Sequence, residues 1–151
     1  MPLNQALKGK AYQPVTLDVT AEHVTRFANA IGEDGAVYLD EQAARDAGYA
    51  GQVAPPTFVT GMQIMASVQV VADQELGLDY SRVVHGEQSY GWRRPVVVGD
   101  RLSAVPRIAD IYDRGPNEFL VIEAEINDAE GELVVVGRTT LLSRGTARRQ
   151  R

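Results

Sequence analysis

The stretch Gly51–Asp73, GQVAPPTFVTGMQIMASVQVVAD, constrains the fold more than any other, because no charged side chain occurs between Gly51 and Ala72. Pro55 and Pro56 suit the first turn of a helix, where proline's missing N–H leaves no intrahelical bond unmade. Beyond them only Gly61 interrupts the run, so the spacing predicts a central helix of about four or five turns. Phe58, Met62, Met65 and Val68 recur at helical spacing, and Val59, Ile64, Val70 and Val71 fill the other faces. A helix apolar nearly all round is expected to be buried nearly all round. It is too short, and too dotted with Gln, Thr and Ser, to cross a membrane, so the expected cover is protein: a curved antiparallel sheet wrapped around the helix.

The rest of the chain supplies such a sheet. Tyr12–Val19 alternates weakly and reads as a short strand or extended arm. Thr20 reads as the N-cap of a helix with Glu22 in its first turn, Val24, Phe27, Ala28 and Ile31 on one face, and Gly32 at its end. Gly32–Asp40 (GEDGAVYLD) reads as a polar loop, and Asp40 caps a second short helix, EQAARDA, closed by Gly48. After a turn at Gly77–Tyr80, four segments read as strands: Val83–Arg93, Arg101–Tyr112, Glu118–Asn127 and Glu132–Leu142. The third alternates most clearly, with Leu120, Ile122, Ala124 and Ile126 on one face and Glu123 and Glu125 on the other. Turn signals fall at Arg114–Asn117 and Asp128–Gly131, and no helix separates the strands, so the sheet is expected to be antiparallel. A sheet rolled around one long helix is the hot-dog fold, and an α+β chain of that class is expected. One domain is expected over 1–143, followed by a frayed basic tail over 144–151 (RGTARRQR). Because one helix cannot cover both faces and both edges of the sheet, a second subunit is expected to pair with an edge or outer face.

Composition removes several classes of function. The formal net charge of −5 argues against nucleic acid as a partner. The absence of cysteine excludes disulfides and thiolate chemistry, and two histidines without a ligand cluster, His23 and His85, point to no metal site. No phosphate-binding glycine loop and no nucleophile-elbow motif occurs, so no cofactor is expected. With no apolar leader in the first residues and no membrane-spanning run, the expected location is the cytoplasm.

The blocks GEDGAVYLDEQAARDAGYAGQVAPPTF and VVHGEQSYGWRRPVVVGDRL, flanking the long helix, resemble the MaoC-like (R)-hydratase/dehydratase family of the hot-dog superfamily. The resemblance runs from about Tyr12 to Leu142. It is closest to the N-terminal-type dehydratase domains and to the non-catalytic subunit of actinobacterial (3R)-hydroxyacyl-ACP dehydratase. It implies 3-hydroxyacyl or 2-enoyl thioesters of CoA or acyl carrier protein as ligands. Active members carry G-D-x-N-P-x-H, whose Asp and His handle the water or hydroxyl, while an N–H at the start of the central helix polarises the thioester carbonyl. Such a division suits an elimination, which needs a base, an acid and a stabiliser of the developing enolate.

Here the same positions read Gly32-Glu33-Asp34-Gly35-Ala36-Val37-Tyr38. Glu33 stands for the Asp, Tyr38 for the His, and Gly35-Ala36 for the Asn-Pro. A phenol is a poor general base at neutral pH, and a glutamate's longer arm displaces the carboxylate. Pro56 stands where the family's donor N–H is expected, leaving the Thr57 N–H at the helix start as a substitute. These departures imply a degenerate catalytic site at Glu33, Tyr38 and His85 that does not act alone. His85 is read as a hydrogen-bonded histidine at a sheet or dimer edge, with a relocated acid/base paired with Glu87 or Glu33 as the functional alternative. Substrate contacts are expected from Pro55, Pro56 and Thr57, from Met62 and Met65 along an acyl tunnel, and from Arg93, Arg94 and Arg138 toward phosphates.

The function expected from this resemblance is that of an acyl-thioester-binding subunit of a heteromeric (3R)-hydroxyacyl-CoA/ACP dehydratase, with Asp and His supplied by a partner hot-dog subunit. The alternatives are a homodimeric enoyl-thioester hydratase using Glu33, Tyr38 or His85, a non-catalytic acyl-thioester-binding protein and, more weakly, a hot-dog thioesterase.

Overall fold

The computed structural model describes residues 1–147; of the tail expected over 144–151, residues 148–151 lie outside the described residues. In chain order the elements are β1 (Val15–Asp18), α1 (Ala21–Ala30), α2 (Ala36–Leu39), α3 (Glu41–Asp46), α4 (Val59–Val71), β2 (Val83–Trp92), β3 (Arg101–Arg114), β4 (Asn117–Asn127) and β5 (Leu133–Ser143). All strands pair antiparallel in one sheet of order β1-β3-β4-β5-β2, which curls around α4 as the hot-dog fold requires. Short 3-10 turns at Gln5–Leu7, Gln74–Leu76 and Tyr80–Arg82 complete the secondary structure of the described residues.

The local signals act as expected. The Thr20 hydroxyl accepts the His23 N–H at 3.2 Å and Asp40 Oδ1 accepts the Ala43 N–H at 2.7 Å, so both side chains satisfy otherwise unpaired donors at their helix starts. Gly48 closes the second with φ +95°, a conformation that disfavours any residue with a Cβ. On β4, Leu120, Ile122, Ala124 and Ile126 are all fully buried against the helix side. Val24, Phe58, Val59, Met62, Ala66, Leu102, Ala104, Ala124 and Ile126 form one apolar cluster at the start of α4. Leu3, Val70, Leu76, Ile108, Ile111, Leu120 and Ile122 form a second at its end.

Four expectations need correction. The helix begins at Val59, so Pro55 and Pro56 shape the turn before it, where the Phe58 N–H donates to Pro55 O at 2.8 Å. At 13 residues it is shorter than the expected four or five turns. Within the predicted loop at Gly32–Asp40, residues 36–39 form the one-turn helix α2. Most consequentially, α4 is not buried all round: Ile64, Met65 and Val68 are 55%, 62% and 53% exposed. The helix instead carries three stripes. Val59, Met62, Ala66 and Val70 enter the core, Thr60, Gln63 and Ser67 face β2 and β5, and Gly61, Ile64, Met65 and Val68 face outward. A single sheet encloses only one side of a cylinder, so apolar character alone does not put the far side inside.

Glu123 does lie on the convex face, but it is not solvated there. Arg107 and Arg138, from the neighbouring strands, bind its two oxygens at 2.5 and 2.6 Å. Burial opposes the charge, while the two guanidiniums favour it and prevail, holding the carboxyl below its ordinary range. Arg138 is thus committed to the sheet surface rather than open to a ligand.

Candidate functional site

Tyr38 is carried by α2, which is held from both sides. Gln52 Nε2 donates to Tyr38 O at 2.8 Å and to Thr25 Oγ1 at 2.9 Å, and the Val53 N–H donates to Val37 O at 2.9 Å. Residues 52–54 in turn pair with 96–98, through Ala54 N–H to Val96 O and Val98 N–H to Gln52 O, each at 2.8 Å. The leader to the central helix is therefore stitched between α2 and the segment after β2.

This stitching opens a cavity of about 340 Å³ lined by Tyr38, Tyr49, Pro56, Trp92, Arg93 and Arg94, among others. Glu33 does not line it but neighbours Tyr38. Glu33 Oε1 accepts the Gly35 N–H at 3.0 Å, and a Cβ on Gly35 would lie 2.9 Å from the Tyr38 ring and 3.1 Å from Glu33 Oε1. The ring and the carboxylate thus flank the bare Cα of Gly35, and a glycine is what lets Tyr38 seat there.

The remaining candidates are distributed unequally. Pro55 is buried, whereas Pro56 and Thr57 are exposed at the start of α4. The Thr57 N–H has no acceptor among the described residues. Arg94 is fully engaged: it grips Asp100 with two bonds at 2.8 and 3.0 Å and Asp128 at 3.2 Å, which together raise its pKa further. Arg93 is exposed and forms no ion pair among the described residues, so of the two it alone has an uncommitted charge. Met62 is core, and Met65 points outward.

His85 belongs to a different place. It lines a second cavity of about 500 Å³, between the second half of α4 and β2/β5, with Ser67, Gln88 and Thr139. Its Nε2 lies 3.1 Å from Glu87 O; a carbonyl only accepts, so this nitrogen carries the proton and Nδ1 is the acceptor in the neutral ring. Between the two cavities, in the register of both elements, Thr60 and Tyr90 are joined by a short hydrogen bond between their hydroxyls. The structure thus brings Tyr38, Pro56, Arg93 and Arg94 to one cavity, with Glu33 reaching it only through Gly35 and Tyr38, and leaves His85 apart.

Sequence pattern does not single out Tyr49, Gln52 and Trp92 around the first cavity, or Ser67 and Gln88 in the second. One signal for Ser67 is nonetheless present: Thr60, Gln63 and Ser67 recur at helical spacing as a polar stripe in an otherwise apolar helix. No group of three or more His, Cys, Asp or Glu side chains able to hold a metal occurs among the described residues.

Comparison with known proteins agrees with this architecture. The family model for the FAS1-like dehydratase domain region matches residues 6–136. The chain belongs to this family. Its relatives include UPF0336 proteins of Saccharopolyspora erythraea, 44% identical over 97% of this chain and 95% of the relative, and of Streptomyces coelicolor, 42% identical over 95% and 97%. Among solved structures, a chain of the C-terminally truncated HadBC (3R-hydroxyacyl-ACP dehydratase) complex of Mycobacterium tuberculosis superimposes with TM-score 0.80 at 29% identity, covering 90% of this chain and 96% of that one. A MaoC-like dehydratase superimposes with TM-score 0.85 at 26% identity, covering 93% of this chain and 43% of that one. The dehydratase-region chain is accordingly a MaoC-like hot-dog protein in fold and family. No helix among its described residues is long and apolar enough to cross a membrane.

Proposed function

We propose that this chain is the acyl-thioester-binding subunit of a heteromeric (3R)-hydroxyacyl-CoA/ACP dehydratase, with the catalytic Asp and His contributed by a partner hot-dog subunit. The observation that carries the reading is the seat of Tyr38. Its ring packs on Gly35 with the Glu33 carboxylate turned to the Gly35 N–H, at the place where the family resemblance puts an acid/base pair. A glutamate held by its own loop beside a phenol is a poor device for moving protons across C2–C3 of a thioester.

What this chain offers is binding. The Thr57 N–H, in the turn just before α4, is the donor this reading assigns to a thioester carbonyl, because helix N-termini favour developing negative charge. Arg93, uncommitted at the cavity rim, suits a phosphate of CoA or of a carrier's pantetheine arm, while Arg94 holds the 95–100 loop that frames the cavity. The outward stripe of Ile64, Met65 and Val68, beside the unpaired edge of β2, supports a second hot-dog subunit docking there. The structural neighbour HadBC, a (3R)-hydroxyacyl-ACP dehydratase complex, favours the same arrangement.

The test is co-expression with a hot-dog protein carrying G-D-x-N-P-x-H, followed by hydration assays on 2-enoyl-CoA with each chain alone and with the pair. The expected result is co-purification and turnover by the pair only. In that pair, Tyr38→Phe changes kcat less than about twofold, whereas a catalytic acid/base would be worth ~10²–10⁴-fold. Robust hydration by the lone chain, abolished by His85→Ala, would replace this reading with the homodimeric hydratase.

A further inference from the structure

Three aromatic rings line the cavity at Tyr38 without resting on one another. Tyr38, Tyr49 and Trp92 all border it, yet no two of them are in stacked or edge contact; Trp92 meets Tyr90 instead, with ring centres 6.2 Å apart. Their polar ends are free as well. Tyr38 Oη, Tyr49 Oη and Trp92 Nε1 take part in no hydrogen bond among the described residues, and none of the three is sealed from solvent. At about 340 Å³ the space falls in the size range of small-ligand sites, about 300–1,000 Å³.

Charge decides which ligand suits these walls. Arg93 is exposed, lines the cavity and forms no ion pair among the described residues. Asp100 and Asp128 are both turned to Arg94, at 2.8, 3.0 and 3.2 Å. No Asp or Glu lines the cavity, and the nearby Glu33 carboxylate is held by the Gly35 N–H. A box of aromatic rings by itself suits a cation, which the ring faces attract, but Arg93 on the wall opposes one. An aliphatic anion would use the guanidinium and leave the rings idle. A flat aromatic ring carrying an anion uses both: ring contacts with the aromatic walls, and charge-assisted bonds from Arg93. The free Trp92 N–H and tyrosine hydroxyls are further donors to such an anion.

We propose that this cavity binds a planar aromatic acid, with its ring among Tyr38, Tyr49 and Trp92 and its carboxylate on Arg93. The binding itself goes beyond the thioester reading and does not depend on it. One consequence does rest on that reading: where Arg93 meets a phosphate of the thioester's carrier, an aromatic acid competes with the substrate for the same guanidinium.

Trp92 is the only tryptophan in the chain, so its indole N–H gives a single signal that needs no assignment. The experiment titrates three probes into the full chain and follows that signal by proton–nitrogen correlation NMR. They are 2-naphthoate, the uncharged 2-naphthylmethanol and the saturated decahydro-2-naphthoate. The expected result is a saturable shift of the indole signal by 2-naphthoate. Its affinity should be about tenfold above that of the alcohol and about fivefold above that of the saturated acid. In Arg93→Gln, a change at an exposed side chain, the preference for acid over alcohol disappears. An indole signal that does not move, equal affinities for 2-naphthoate and either comparison probe, or an acid preference retained by Arg93→Gln would each overturn the proposal. If Arg93→Gln does not fold, the comparison of the three probes in the wild type decides alone. No probe carries a thioester or needs a partner subunit, so failure here is separable from failure of the dehydratase reading.

Discussion

Gly137→Ala is the most exacting test of how α4 is seated in the sheet. A Cβ at this β5 position would overlap Gln63 Oε1 and lie 2.9 Å from Gln63 Cδ. Gln63 is fully buried and has no route to solvent, so its carboxamide would have to slide within a packed interior. That motion strains the packing by about 1–3 kcal/mol. It also puts at risk the bonds to Gly137 O and Thr139 Oγ1, worth about 1 kcal/mol each. Replacing a strand glycine recovers about 0.5–1 kcal/mol of backbone entropy. The net expectation is a loss of about 2–3 kcal/mol, or roughly 4–12 °C in Tm. Urea unfolding of wild type, Gly137→Ala, Gln63→Ala and the double variant at one protein concentration isolates the clash. With Gln63 truncated, the added methyl should cost less than about 0.5 kcal/mol, giving a coupling energy of about 2 kcal/mol. A Gly137→Ala variant as stable as wild type, or the same loss in both backgrounds, would refute this account of the seam.

Two further outcomes are expected. Glu123→Gln should destabilise the chain at pH 7, because both guanidiniums then face a neutral group. The carboxyl's folded pKa is depressed, so its contribution is present above the ordinary glutamate range near ~4.3 and is lost as pH falls through the folded value; the gap to wild type should therefore close in acid unfolding curves. Met65→Glu together with Val68→Glu should leave the Tm of the isolated chain within about 2 °C, since both side chains are exposed, while abolishing co-purification with the hot-dog partner. Retained association would move the docking surface elsewhere.

The amino-acid sequence by itself determined the elements and the fold class, because these follow from short-range rules. Thr20 and Asp40 cap helices through bonds three residues away, and Leu120, Ile122, Ala124 and Ile126 share a face because a strand repeats every two residues. The sequence also named Glu33, Tyr38 and Pro56 as motif positions, and the stitching of 52–54 to 96–98 brings Tyr38 and Pro56 to one cavity. Tertiary structure alone decided the rest. Periodicity says that Ile64, Met65 and Val68 are apolar, not what covers them, and here the sheet ends before reaching them. The Gly86 bulge depends on how β2 pairs with β5, a strand distant in the chain, yet it alone turns His85 and Gln88 to the same side. Arg93 and Arg94 are adjacent and chemically alike, and only the position of Asp100 and Asp128 binds one and leaves the other uncommitted. Local pattern specifies which face a residue takes within its own element; the partner that face meets is set by pairings distant in sequence.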